Sequence, residues 1–386
     1  MSSEEKTLVL PPMDGEGVEE PADRTQLLSE QGEPRAPESP REDTAPRVRA
    51  TGLKRLTSGR ICPLCRDRVD AIRCPHDGYL TVDARAESPE NDLTGTVLGG
   101  MYLLEQRLVE STHNHIYAAT QLSIDRLVAV KVRRKCDARH LRGIARFQRE
   151  ARILGGLDHP RIVRLIDMSV TPGGTFFMVL EHLHGEALSS LLKRTRLHPT
   201  HVLAIAIALA DAMSAVHAAD LVHRAIIPAN VIVLRGRREV GAIKLIDFRL
   251  VKELAPAPAV ADAPPVTRTG ELVGDPRYLA PEQITEGVIT PATDVYGLGL
   301  VVYEMLTGGR GPFEQPSSSV DAAVSHVMQK PELPTYDGRP MGGALVDLVM
   351  RMISKMPSGR PQDGAEALAA LEEIERLKPQ KQLWVK

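Results

Sequence analysis

Cys62-Pro-Leu-Cys65 and Cys74-Pro-His-Asp77 are two similar turns separated by eight residues. Each Cys-Pro-x-x element can fold as a knuckle that presents its first and fourth positions to one tetrahedral zinc ion. By that symmetry Asp77 is the fourth ligand beside Cys62, Cys65 and Cys74. His76, chemically the better zinc donor, sits one place early, and both stay open. So short a unit cannot build a self-sufficient apolar core, so metal binding would supply much of its folding energy. Lys54, Arg55, Arg60, Arg66, Arg68 and Arg73 make it locally basic. That charge suits nucleic acid or an acidic protein, and for so small a unit protein contacts are expected. Cys136 stands alone and reads as an ordinary packed or surface thiol.

A second group of residues is spread along the chain. It comprises Val128-Ala-Val-Lys131, Glu150, Leu221-Val-His-Arg-Ala-Ile-Ile-Pro-Ala-Asn230, Asp247-Phe-Arg249, Gly274-Asp-Pro-Arg-Tyr-Leu-Ala-Pro-Glu282, Asp294-Val-Tyr-Gly297 and Ser358-Gly-Arg-Pro361. Any one of these is a weak signal; in this order over residues 97–376 they resemble the bacterial eukaryotic-like (Hanks-type) Ser/Thr protein kinases. The resemblance implies that Lys131 contacts nucleotide phosphates and pairs with Glu150. It makes Asn230 and Asp247 magnesium ligands, oxygen donors of the kind that hard cation prefers. It also implies an adenine slot of Ile116 and Ala129 above and Ile232 below, with Leu180, Glu181 and Leu183 at the hinge. Glu282 would pair with Arg360, and Asp294 would steady the catalytic-loop backbone. Thr267 and Thr269 fall where relatives are phosphorylated, with Arg224 as the receiving cation. The cysteine unit resembles small zinc ribbons placed before some bacterial kinase domains.

Departures from the family pattern concentrate where chemistry would occur. Ala225 stands at the proton-accepting aspartate and Ile227 at the lysine that would neutralise the migrating phosphoryl group. Arg249 replaces a pivot glycine, and Asp275 replaces a threonine. Val109, Ser111 and Asn114 replace all three glycines of the phosphate-covering loop, where a backbone without Cβ approaches phosphates closely. His113 and His115 could contact a phosphate, but solvated loop histidines are the expected reading.

These residues must be positioned by a scaffold, and the pattern supplies one. Residues 101–109, 116–121, 127–132, 162–170 and 176–181 read as strands, and 141–154 as a helix with Ile144, Phe147, Ala151 and Leu154 on one face. Helices follow over 187–194, 199–218, 292–307, 319–329, 343–354 and 364–376. This is an α+β, two-lobed kinase-like architecture: a small β-rich N-lobe (97–183), a larger helical C-lobe (184–376) and a cleft between them. Before it come a Pro- and Glu-rich arm (1–58) expected to be disordered, the zinc-ribbon-like unit (59–84) and a polar linker (85–96). A tail (377–386) follows.

Among 386 residues a formal net charge of −2 gives no global pull toward nucleic acid or anionic lipid. No apolar run is expected to span a bilayer, which takes about 18 residues, and the acidic N-terminus lacks a signal pattern. We therefore expect a cytoplasmic regulatory protein, a pseudokinase with weak or absent magnesium-ATP binding and protein partners. The alternatives are a divergent Ser/Thr kinase of low activity and a zinc-dependent nucleic-acid-binding module carrying a degenerate kinase domain.

Overall fold

The computed structural model describes residues 59–83, 92–134, 136, 138–236, 241–254, 274–285, 287–313, 317–336 and 338–377. The arm 1–58, most of the linker, Thr267, Thr269 and the tail beyond 377 lie outside the described residues.

Three two-residue strands, β1 (Arg60–Ile61), β2 (Arg68–Val69) and β3 (Val82–Asp83), carry the cysteine unit in the antiparallel order β2-β1-β3. The N-lobe sheet comprises β4 (Val97–Leu98), β5 (Tyr102–Glu110), β6 (Asn114–Gln121), β7 (Arg126–Arg133), β8 (Leu165–Val170) and β9 (Phe176–Glu181). Its order is β4-β5-β6-β7-β9-β8, antiparallel throughout. Alternation works here because Leu104, Tyr117, Val128, Val130 and Val179 share one buried cluster. Helix α1 (Leu141–Gly155) lies between β7 and β8 in sequence, and its Ile144, Phe147 and Ala151 join Phe176 and Met178 in a second cluster.

The C-lobe follows as expected but with short strands that no periodicity announces. β10 (Gly185–Ala187), β12 (Val231–Leu234) and β13 (Ile243–Leu245) form one sheet; β11 (Leu221–Val222) and β14 (Lys252–Glu253) form another. The helices are α2 (Leu188–Arg194), α3 (Pro199–Ala218), α4 (Pro281–Ile284), α5 (Pro291–Thr307), α6 (Ser319–Met328), α7 (Ala344–Met352) and α8 (Gly364–Arg376). α3 corrects one expectation, since by length and composition it could cross a membrane. Its apolar surface is spent inside the lobe, where Val202, Leu203, Leu209 and Met213 are fully buried, and its Asp211 accepts from Arg161 (2.9 Å).

Two boundaries also move. Leu93 packs against the N-lobe sheet, its N–H meets the Tyr117 hydroxyl (3.3 Å), and Gly95 N–H donates to Leu104 (2.7 Å). The domain therefore begins before residue 97. Leu80 and Val82 sit in the same cluster as Ile144, Phe147 and Ala151 of α1, so the cysteine unit is built onto the N-lobe rather than strung before it.

Candidate functional site

The loop between β11 and β12 is held by one buried carboxylate. Asp294, in the first turn of α5, accepts from the backbone N–H groups of His223 (2.6 Å) and Arg224 (2.7 Å) and from His217 Nε2 (3.0 Å). His217 Nδ1 accepts from Gly364 N–H (2.8 Å), which fixes its tautomer. Burial alone would raise the Asp294 carboxyl; these hydrogen bonds, led by that from His217, hold it below the usual range. Gly297 lets the loop lie on α5, because a Cβ there would stand 3.0 Å from Ile226. Arg224 is left-handed (φ 62°) and its Nε donates to Leu250 O (2.5 Å). At the centre of this fixed loop, Ala225 offers a methyl group; its N–H donates to His223 Nδ1 (3.3 Å) and its carbonyl accepts from the Asn230 amide (3.0 Å). His223 is fully buried with its ring edge-on to Phe248 (4.7 Å), and burial lowers its pKa, keeping it neutral.

Across the cleft, Lys131 on β7 donates to both carboxylate oxygens of Glu150 on α1 (2.6 and 2.8 Å), and both residues are buried. The expected pair is formed. Asp247 is left-handed (φ 66°) and is gripped by its own neighbour: Arg249 Nε reaches both carboxylate oxygens (2.7 and 2.9 Å) and the second guanidinium nitrogen reaches one (2.6 Å). Burial would raise Asp247, but the Arg249 and Lys131 cations hold it well below the carboxylate range. Arg277 clips Asp275 in the same i, i+2 geometry (3.0 and 2.6 Å). Beside it Tyr278 donates to Glu304 (3.0 Å), whose carboxyl burial pushes up to about 7.

The turn over 111–114 spends two of its amides on itself. Ser111 N–H donates to Asn114 O (3.0 Å) and Asn114 N–H to Ser111 Oγ (3.2 Å), while Arg134 holds the carbonyls of Ser111 (3.2 Å) and His113 (3.0 Å). His115 is not a solvated loop histidine. It is buried on β6, with Nδ1 beside the Tyr117 hydroxyl (3.2 Å).

A cleft of about 1200 Å³ is lined by Ser111, Asn114, Glu150, Ala225, Ile227, Asn230, Asp247, Arg249, Asp275 and Glu304. Ala225, Ile227, Asn230, Asp247 and Asp275, drawn from separate segments, meet at this cleft. Ile116, Ala129, Glu181, Leu183 and Ile232, read as an adenine slot, do not line this cleft. Ile232 is wholly buried on β12, and the Glu181 carboxylate is engaged by Lys244 (2.5 Å) and Arg164 N–H (2.8 Å). Both oxygens of Asp247 already accept from Arg249, so the corner does not fit a magnesium ion without moving that guanidinium. The sequence marks Arg249 as the replacement of a pivot glycine and gives Arg277, Tyr278 and Glu304 no role in this corner. The repeated Asp-x-Arg of Asp247-Phe-Arg249 and Asp275-Pro-Arg277 was the available signal.

The cysteine unit forms the second cluster. One ligand atom from each of Cys62, Cys65, Cys74 and Asp77 lies within 4.8 Å of all the others. The two knuckles are near copies: Arg66 N–H donates to Cys62 O (3.1 Å) and Gly78 N–H to Cys74 O (2.9 Å), and the residues closing the turns are left-handed, Arg66 at φ 68° and Gly78 at φ 69°. This places Asp77 where the first knuckle has Cys65. His76 is corrected: its exposed ring turns to Asp67 (3.8 Å), outside the cluster.

The sequence pattern of the protein kinase domain matches residues 104–372. The chain is 31% identical over 294 residues to the serine/threonine-protein kinase pkn3 of Myxococcus xanthus, covering 75% of this chain and 53% of that protein. It is 33% identical over 285 residues to PknA of Mycobacterium tuberculosis, covering 72% and 62% respectively. A probable serine/threonine-protein kinase of Clostridium perfringens, CPE1738, is 30% identical over 285 residues, covering 74% and 40%. The chain thus spans about half the length of these bacterial relatives. With the lobes, the Lys131–Glu150 pair and the Asp294-held loop in place, the chain belongs to the protein kinase domain family.

Proposed function

We propose that this chain is a bacterial, cytoplasmic regulatory protein of the kinase fold that has lost phosphotransfer and acts through protein partners, bound by the kinase-like domain and the cysteine unit. The observation that carries the reading is a catalytic loop whose backbone is pinned by Asp294 while its reactive positions hold the inert side chains of Ala225 and Ile227. Full-length protein incubated with γ-labelled ATP, magnesium and a generic basic substrate should leave both proteins unlabelled. A divergent Ser/Thr kinase is the second reading, favoured by the formed Lys131–Glu150 pair and by Phe248 seated against His223. Robust labelling abolished by Asp247→Ala would establish it instead.

Magnesium-ATP is the general cofactor of this fold, and here its binding is weak because Arg249 competes for Asp247. Arg249→Gly should strengthen ATP binding about tenfold in magnesium and little in EDTA, the scale of losing one charge-assisted hydrogen bond. Calorimetry in the two buffers reads this; equal gains in both would show that the guanidinium does not act by excluding the metal.

The cysteine unit binds one zinc ion through Cys62, Cys65, Cys74 and Asp77. In support, Cys65 Sγ and Cys74 Sγ are 3.7 Å apart, against about 3.8 Å for the edge of a tetrahedron with Zn–S bonds of about 2.3 Å. Elemental analysis of protein purified without chelator should give close to one zinc per chain. Cys62→Ser with Cys65→Ser should remove it and His76→Ala should not. Full zinc in the double variant, or its loss in His76→Ala, would refute this ligand set.

A further inference from the structure

Helix α1 has two occupied faces. Phe147, Glu150 and Leu154 look toward the cleft and the lobe core: Glu150 meets Lys131, and Phe147 lines the cleft. Ala145, Gln148 and Arg152, two residues or about 200° around the helix, face the cysteine unit. Gln148 is buried and bonds the backbone of Leu80 in both directions, accepting from its N–H (2.7 Å) and donating to its carbonyl (2.8 Å). Arg152 lies 3.8 Å over the Tyr79 ring and donates to the backbone carbonyl of Asp77 (3.0 Å). Ala145 packs with Cys62, Cys74 and Tyr79. The helix therefore touches the second knuckle at the very residue whose carboxylate completes the cluster.

α1 needs that support. Among the described residues it has no side-chain N-cap bond and no acidic residue in its first turn to offset the helix dipole. It also carries Gly143, where a side chain would collide with the buried guanidinium of Arg133. A helix of that kind is held by packing rather than by propensity. The cysteine unit, with three two-residue strands, in turn depends on its metal for folding.

We propose that the knuckle unit is a metal-dependent clamp on the outer face of α1, and that loading it with zinc sets how firmly Glu150 engages Lys131. This rests on the zinc reading of Cys62, Cys65, Cys74 and Asp77 and adds regulation of the cleft to it. Metal occupancy and the position of α1 are then linked in both directions: the metal orders the segment from Asp77 to Leu80, Asp77 and Tyr79 hold Arg152 while Leu80 holds Gln148, and the helix carries Glu150 to the lysine.

The test uses full-length protein and hydrogen exchange read by mass spectrometry, with the rate of Lys131 labelling by an amine-reactive reagent as a second readout. Zinc removal by a chelator should speed exchange across residues 141–155 about tenfold or more, as expected for a local opening, and speed Lys131 labelling, while α3 and α5 keep their protection. Gln148→Ala with Arg152→Ala should loosen α1 in the same way although the protein still carries zinc. Zinc-loaded protein whose α1 is equally protected after metal removal would overturn the clamp and leave the zinc site standing. Protein that never contains zinc would overturn both. Full α1 protection in the double variant would overturn the proposed contacts.

Discussion

Arg360→Ala destabilises the protein by about 3–5 kcal/mol, the cost of stranding one partner of a buried ion pair. Against the ~5–15 kcal/mol by which a domain is typically folded, that removes a large share of its stability. The guanidinium is wholly enclosed. It makes a two-bond fork to Glu282 (2.7 and 3.0 Å) and donates to the carbonyls of Ala292 (3.0 Å), Ser354 (2.8 Å) and Lys355 (2.9 Å). It ties α4 to the start of α5 and to the segment before α8. The two halves of the pair are not equivalent. Glu282→Gln leaves Arg360 its three carbonyls, whereas Arg360→Ala leaves a buried carboxylate without its counter-ion, so the arginine variant should be the worse. Chemical denaturation of Arg360→Ala, Glu282→Gln and the unmodified protein reads the gap between them. A gap of less than about 1 kcal/mol, the scale of an exposed pair, would mean that the pair contributes no more than surface charges do.

Much of this architecture is legible from sequence because its signals are local. The helix over 199–218 and the strand over 176–181 have the predicted bounds, and the apolar spacing of Ile144, Phe147, Ala151 and Leu154 marks the buried face of α1. What escaped is non-local or very short. β10 and β13 have three residues each and β11 and β14 two, too few to show a period. Gln148 and Leu80 are 68 positions apart, and a lone glutamine on a helix carries no mark of the backbone it binds. The pseudo-symmetry of the two knuckles was legible in the sequence, and it is Asp77 rather than His76 that the fold sets beside the three thiols. The two substitutions in the loop were legible outright, because Ala225 and Ile227 need no coordinates to be read. The self-neutralised Asp247 was not: a glycine-to-arginine change reads as lost flexibility until the guanidinium is seen on the carboxylate.

Ala225→Asp alone should leave phosphotransfer no higher than in the unmodified chain, although it returns the hydroxyl-orienting carboxylate to a loop already held in position by Asp294. A general base contributes ~10²–10⁴-fold only where the other groups are in place, and the contributions of groups that act as a unit are far from additive. Three obstacles remain in the single variant. Ile227 offers no cation to the transferring phosphoryl group. Arg249 still fills both oxygens of Asp247. The amides of Ser111 and Asn114 stay committed within their own turn. Combining Ala225→Asp with Ile227→Lys, Arg249→Gly and Asp275→Thr removes the first two and releases Arg277 from its carboxylate. That variant should transfer label at least ~10²-fold faster than the single one, the lower end of what a positioned base contributes. It should still fall short of the ~1–100 s⁻¹ of working kinases, because the phosphate-covering turn is unrepaired. Rebuilding glycine at Val109, Ser111 and Asn114 in that background should then give the next increase, since a turn without Cβ atoms can aim its amides outward. The assay is initial-rate transfer of γ-phosphate to the protein and to a basic substrate, with Asp247→Ala as the blank. Kinase-like rates from Ala225→Asp by itself would show that neither Arg249 nor the closed turn limits the chemistry, leaving the missing aspartate as the whole of the defect.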